Sequence, residues 1–439
     1  MSTDPSSDPS IDGPDAPGSL DAPDAPAGAG ILGARPKLRH LEAFPLEHEG
    51  EQMIALRDPA GFVEQVVLLP GAVVDLVSLF DGEHSIAEIQ SVLARRHGTA
   101  PTAVQVAGVA AQLDAGGFLD SPAFATRRAR VEEAFRQSPL RAAAHAGGAY
   151  AGDPVALRRQ IDAFFTGADG PGRPGPPRGA PAPRGVIAPH IDFHRGGPTY
   201  GWAYRELAES AEAPDLFVIV GTCHAGMADP FAVTLKPYDT PLGPAPVDRE
   251  FFDALQRRYG HDLLASEPAH RSEHSIEFQA VMLRHALGER RPFAILPVLA
   301  SYLHEAIWRN GDPEADARVP RFVDALLETL AASRRRACLV AGVDLAHVGP
   351  RFGDEAPNTR ASLRDVERDD REMLGSVIAG DAAGFYRAVA KDGDARRICG
   401  LSPIYTFLRA LPGVPGRLER YSQWPDPQGA VTFCAAVFP

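Results

Sequence analysis

The sequence predicts an α/β fold, an open sheet with helices, preceded by a small α+β domain of winged-helix type. Three short apolar runs carry the prediction: Gly185–Pro189, Leu216–Val220 and Ala337–Gly342. Each is too short for a helix and reads as a buried strand. Each also delivers reactive side chains just past its end: His190 after the first, His224 after the second, Asp344 and His347 after the third. In an open α/β sheet the residues beyond the carboxyl ends of the strands line the ligand crevice, so the three runs aim imidazoles and carboxylates at one edge.

Residues 1–35 are Asp, Pro, Ser, Ala and Gly repeats, and the first thirty hold six Asp and no basic residue. Such a stretch buries too little apolar surface to offset chain entropy, so a disordered tail is expected. From 36 to 125 the composition becomes globular. Met53–Leu56 and Val63–Leu69 flank the Asp58-Pro59-Ala60-Gly61 turn and predict a hairpin. A helix is expected over Gly71–Leu79. A second starts at Ser85, where Glu88 three residues on completes a capping box, with Ile86, Ile89, Val92 and Leu93 as its apolar face. A third runs over Thr102–Ala115.

An Arg-rich helix over 126–141 is expected to link this domain to the next, over 142–439. Gly167–Arg184 is rich in Pro and Gly and reads as an extended, exposed insertion. Past the first strand, the aromatic run through Trp202 and Tyr204 gives a helix. Asp248–Tyr259 gives another with Asp248 as N-cap, and a third opens at Glu273-His274-Ser275-Ile276-Glu277. Pro230–Leu235 and Phe293–Leu299 read as strands, and Val319–Ala332 as the helix feeding the Ala337 strand. Two charged helices, Arg364–Ile378 and Ala382–Ala390, read as peripheral. A helix starts beyond Cys399-Gly400, with an N-terminus able to hold an anionic group, and Gly429–Phe438 closes the sheet.

Composition excludes several classes of function. A net charge of -13 argues against a nucleic-acid surface, which needs clustered Lys and Arg. Four widely spaced cysteines, Cys223, Cys338, Cys399 and Cys434, fit reduced thiols better than a disulfide framework. No apolar run approaches the length of a membrane span and no secretory leader is legible, so a cytoplasmic protein is expected, with no membrane contact. There is no G-x-S-x-G elbow, phosphate loop or dinucleotide fingerprint.

His274 and Glu277 lie three apart on one helical face, a spacing that suits an acid–base dyad or metal ligands. Glu273 and Glu277 are also what a helix N-terminus attracts through its dipole, an explanation that leaves His274 out.

Five segments together resemble a known family. APH with its Gly-containing turn and aromatic helix, then VGTCH, SEHSIEF, VDLAHVG and ICGLSPI are similar, in this order, to the Memo family. This is the family of the AmmeMemoRadiSam system protein B, related in fold to class III extradiol dioxygenases. His145-Ala146-Gly147-Gly148-Ala149-Tyr150 resembles its opening segment, so the resemblance covers roughly 140 to 439. Residues 36–125 resemble the PqqD-like peptide-recognition domain, through the run around Asp81-Gly82 and Ser85–Ile89. The bland alternative is a small winged-helix-like packing module without a ligand.

The resemblance implies a divalent metal held by two His and a Cys or Ser. His190 and His224 match the first two, and Ala346 stands where the third is expected. Alanine cannot ligate, so Asp344, His347, His274 or Glu277 has to complete the shell. The expected metal set is His190, His224 and Asp344, with His274, Glu277, Asp344 and His347 as acid–base residues. Two imidazoles and a carboxylate suit iron first, with zinc or copper as alternatives.

Two functions follow from the resemblance. One is a metal-dependent, dioxygenase-like oxidoreductase serving a peptide-modification system, with a peptide or protein partner at the N-terminal domain and a radical-SAM partner. The other is a non-catalytic scaffold that holds a peptide or a metal.

Overall fold

The computed structural model describes residues 33–177, 181–288 and 291–439. The chain divides into two compact units, one ending at Arg130 and the other running Val131–Pro439. The tail expected over 1–35 lies, up to residue 32, outside the described residues.

In the first unit β1 (Glu42–His48), β2 (Glu51–Arg57) and β3 (Val67–Pro70) form an antiparallel sheet in that order. The expected hairpin is the β2–β3 pair, with Met53 opposite Pro70 and Leu56 opposite Val67. Its connection outlasts a tight turn because Asp58 organises it. The Asp58 carboxylate accepts the backbone N–H groups of Ala60, Phe62 and Val63 and pairs with Arg39 at 2.7 Å. Strand β1 is additional to the expected hairpin: Glu and Pro interrupt its apolar residues, and pairing with β2 makes it a strand.

Helices α1 (Gly71–Val77), α2 (Ile86–His97) and α3 (Ala103–Gly116) pack on this sheet through Leu76, Ile89, Leu93, Val106 and Leu113. Both α2 and α3 open with a reciprocal capping box, Ser85 with Glu88 and Thr102 with Gln105. Helix α4 (Pro122–Gln137) is the Arg-rich helix, and the division between the units falls inside it.

The second unit continues through α5 (Pro154–Thr166), β4 (Gly185–Ala188), α6 (Phe193–Glu209), β5 (Leu216–Thr222), β6 (Phe231–Val233), α7 (Arg249–Tyr259) and α8 (His274–Leu287). Then come β7 (Ala294–Ala300), α9 (Leu303–Trp308), α10 (Arg318–Ala332), β8 (Ala337–Gly342), β9 (His347–Val348), α11 (Arg360–Ile378), α12 (Ala382–Ala390), α13 (Leu401–Ala410), β10 (Arg417–Trp424) and β11 (Ala430–Phe438).

Among the described residues the strands make one eight-stranded sheet in the order β10-β11-β4-β8-β5-β7-β6, with β9 paired to β11. The centre, β4-β8-β5-β7, is parallel, and the flanks are antiparallel. The α/β class therefore holds, in a mixed sheet. Strand β8 comes last of the four parallel strands in the chain but lies between β4 and β5. That order places the residues after Gly342 between the strand ends bearing His190 and His224.

Both faces of the central strands are apolar, as parallel strands under two helical layers require. Along β5, Leu216, Val218 and Val220 face the layer of α7, α10 and α13, while Phe217 and Ile219 face α5, α6 and α8. Helix α11 carries charge outward, yet its Asp370 is buried and bonded to Arg396, Tyr421 and Thr432. The described part of the Pro/Gly-rich insertion is laid along α6. The Asp169 carbonyl accepts from the Trp202 indole, the Pro171 carbonyl from Arg205, and the Gly175 N–H reaches Glu209. Among the described residues no helix is long and apolar enough to cross a membrane.

Candidate metal centre

Three imidazoles meet at the carboxyl ends of β4 and β5. His190 follows the Pro189 that ends β4, His224 stands two residues past β5, and His274 is the first residue of α8. One ligand atom from each lies within 4.8 Å of the others. Two nitrogens on one ion sit about 3–4 Å apart, so modest side-chain rotation closes the set around a metal. The ring centres are 4.9 Å apart for His190 and His224, 5.1 Å for His190 and His274, and 4.6 Å for the stacked pair His224 and His274.

The backbone explains why these residues arrive together. Helix α8 lies so close over β8 that a Cβ on Gly342 would come within 2.4 Å of the Ser275 carbonyl. The Ser275 hydroxyl donates to the Thr222 carbonyl at 2.8 Å, and the Gln279 amide donates to the Pro189 carbonyl at 2.9 Å. The first two turns of α8 are thus fastened to the ends of β5 and β4.

Outer partners set the tautomers. His190 Nδ1 is 2.9 Å from the Gly342 carbonyl, which can only accept, so the proton of the neutral ring is on Nδ1 and Nε2 keeps its lone pair. Burial, then the charge of His224, depresses its pKa to about 3, so the ring is neutral in ordinary buffer. His224 presents Nδ1 to Glu273 Oε1 at 3.0 Å, and its backbone N–H donates to Glu273 Oε2 at 2.8 Å. Burial works against protonation of His224, but the Glu273 carboxylate and hydrogen bonds with Cys399 and Glu273 override it and hold its pKa well above the usual value. Glu273 responds in the opposite sense. Burial would raise it, yet His224 and His274 keep it well below the ordinary carboxylate range. Burial, despite Glu273, keeps His274 well below the usual imidazole value.

A carbonyl behind His190 and a carboxylate behind His224 make the arrangement that orients histidines for a metal. The donor set therefore fits one. Imidazole nitrogens suit zinc, copper, iron and nickel.

The other expected residues take separate places. Asp344 accepts the N–H groups of His190 and Ile191 on Oδ1, at 3.0 and 3.2 Å, while Oδ2 lies 3.8 Å from His190 Nε2. It stands beside the His190 ring, and burial pushes its pKa up to about 6. His347 turns Nδ1 to the Leu345 carbonyl at 3.1 Å and packs its ring against Phe352. Glu277 points elsewhere: its carboxylate takes the Arg141 guanidinium, the N–H groups of Ala144 and His145, and the Tyr150 hydroxyl. The spacing that puts Glu277 and His274 on one helical face does not bring their side chains to one task. Glu277 ties the segment through His145 and Tyr150 to α8.

Two residues at the centre were not among the expected site residues. Glu273 both caps α8, accepting from the Ser275 N–H at 3.0 Å, and orients His224. Its position directly before a helix is a capping signal, but nothing local shows that it faces residue 224. Cys399 is the other: its Sγ lies 3.2 Å from His190 Nε2 and 3.6 Å from the Asp344 carbonyl.

Comparison with known proteins agrees with the motif order. The profile of a family described as Memo-like protein matches residues 141–430. A "MEMO1 family protein" of Aquifex aeolicus is 25% identical over 409 residues, covering 92% of this chain and all of that protein. One of Methanopyrus kandleri is 30% identical over 311 residues, covering 68% of this chain and 98% of the relative. Another, of Thermus thermophilus, is 28% identical over 331 residues, covering 74% and 90%.

Proposed function

This chain belongs to the Memo-like protein family, and from that premise we propose that it is a metal-dependent oxidoreductase whose centre is held by His190, His224 and His274. The observation that carries the reading is the convergence of three ring nitrogens, two of them on rings whose other nitrogen is anchored, on Gly342 for His190 and on Glu273 for His224. A bound divalent transition metal supplies Lewis acidity there and, if it is iron or copper, one-electron chemistry.

The protein's own part is to hold and orient. His190 offers Nε2 without first losing a proton. His224 gives up its Nε2 proton while Glu273 retains the Nδ1–H. Asp344, with a pKa near 6, can take or return a proton beside the centre.

We read the three imidazoles as the ligand set, with Asp344, whose Oδ2 is 3.8 Å from His190 Nε2, as a flanking group. The argument for iron from a carboxylate ligand weakens accordingly, and iron, zinc and copper all remain compatible with the donors. We infer a peptide-borne substrate, supported by the open edges of β1 and β3 among the described residues, where extended chain can add by main-chain hydrogen bonds.

The test is metal analysis of untagged protein, quantifying iron, copper and zinc together, on wild type and His190→Ala. About one metal per chain in wild type and none in the variant supports the reading. Metal-free wild type that also fails to take up any of the three on titration overturns it.

A further inference from the structure

We propose that Arg141 is a positioning residue of the centre: its guanidinium staples the turn that carries Glu273 and His274, and through Glu273 it fixes the orientation of His224. The proposal rests on the metal reading above and names what holds two of the three ligands in place.

Arg141 is fully buried, and its main chain and side chain are both held. Its N–H donates to the Pro237 carbonyl at 2.9 Å, and its carbonyl accepts from the Asp239 N–H at 2.8 Å. The guanidinium carbon lies 4.9 Å from the centre of the Tyr238 ring, within cation–π range. From that platform Nε donates to the His270 carbonyl at 2.9 Å and Nη2 to the Glu273 carbonyl at 2.6 Å. Nη1 donates to the Ala142 carbonyl at 2.8 Å and pairs with the Glu277 carboxylate.

The carbonyls of His270 and Glu273 bracket a turn. A short 3-10 helix ends at His270 and α8 begins at His274, so residues 271–273 set where α8 starts. His270 is itself anchored through both ring nitrogens, on Tyr238 and Ala232. Between the two Arg141 contacts, His145 Nε2 meets the Ser272 carbonyl at 2.8 Å. Carbonyls outside a helix or sheet need partners from elsewhere when they are buried. Here the segment 141–145 supplies them for residues 270, 272 and 273, and in doing so dictates the path of the turn.

Glu273 carries this to the metal. Its carbonyl is fixed by Arg141, while its carboxylate caps the Ser275 N–H and stands 3.0 Å from His224 Nδ1. His274 is the next residue, so its ring leaves the backbone from a fixed point. Only a planar fork donates in three directions at once. A lysine ammonium keeps the charge opposite Glu277 but cannot span both carbonyls.

The test uses full-length apo-protein labelled with 15N-histidine, and Co(II) as the metal probe. Wild type is compared with Arg141→Lys and with Arg39→Lys, which weakens a buried ion pair in the first unit. In wild type the His224 Nδ1 proton, bonded to Glu273, should give a downfield resonance that is absent in His224→Asn. In Arg141→Lys that resonance should move upfield or broaden by exchange with water. Co(II) affinity should fall about 10- to 100-fold, as for loss of an outer partner of a metal-bound histidine. Arg39→Lys should change neither, since loss of packing alone lowers the thermal midpoint without moving that proton. The double variant Arg141→Met, Glu277→Gln leaves no unpaired charge in the layer and gives the same comparison where Arg141→Lys does not fold. An unchanged resonance with unchanged Co(II) affinity in either folded variant overturns the proposal. Failure of both to fold also overturns it, by assigning Arg141 to the scaffold alone. Wild type that binds no Co(II) overturns the metal reading, and the resonance still decides whether Arg141 positions His224.

Discussion

Glu273 grips His224 at two points, taking its backbone N–H on Oε2 and its Nδ1 on Oε1. Because Glu273 is also the N-cap of α8, the ring just past β5 and the helix bearing His274 are oriented by a single carboxylate. Glu273→Gln keeps the shape but loses the charge that holds the Nδ1 proton. Outer partners of metal-bound histidines are worth about 10- to 100-fold in affinity, and a loss of that size is expected on titration with Zn(II). Unchanged affinity would mean that His224 does not ligate.

A second prediction concerns acid. His270 is buried, its Nε2 3.1 Å from the Ala232 carbonyl and its Nδ1 2.8 Å from the Tyr238 hydroxyl. Burial depresses its pKa to about 3, from an ordinary value of 6.5. A depressed histidine is neutral when folded and takes up a proton on unfolding between those two values. The stability it contributes is complete above about pH 6.5 and is lost as pH falls toward 3. Between pH 6 and 4 the unfolding free energy of His270→Asn should therefore depend on pH less steeply than wild type, by about 1.4 kcal/mol per pH unit. Denaturant melts across that range measure it. Parallel slopes would show that His270 does not titrate as described.

Gly342→Ala tests how the centre is assembled. The added methyl would meet the Ser275 carbonyl at 2.4 Å and Gln279 Nε2 at 2.8 Å, which lifts the first turn of α8 away from β8. Overpacking of this kind costs about 1–3 kcal/mol. All three histidines remain, yet metal occupancy should fall because His274 moves with the helix. A folded variant with full occupancy would contradict the close-approach argument.

Glu277 should behave as an anchor. Its side chain and that of Arg141 are both fully buried and paired. Removing one partner of such a pair costs about 3–5 kcal/mol. Glu277→Ala should lower the thermal midpoint strongly, while the fraction still folded keeps its Co(II) spectrum. A stable variant with altered spectrum would move Glu277 into the centre.

The sequence by itself determined whatever is local. The apolar runs of β4, β5 and β8 announced buried strands, and the polar residues at their ends marked one edge of a sheet. Ser85 and Asp248 marked helix starts because capping is a contact within three residues. Strands β1 and β10 escaped notice, since both lie on sheet edges where charged side chains break the apolar pattern.

Which residues join His190 and His224 at the centre was decided by tertiary structure alone. His274 and Glu277 look alike as candidates on a helical wheel, and only packing against Arg141 separates them. Cys399 lies 209 positions from His190 in the chain and 3.2 Å from it in space. No periodicity encodes that contact. It arises because β8 inserts between β4 and β5, so the segment clamped against the end of β8 is carried to both histidines. Sheet order is a property of the whole packed chain, in which burial of every strand and helix is satisfied at once, and it is sheet order that selects which strand-end residues become neighbours.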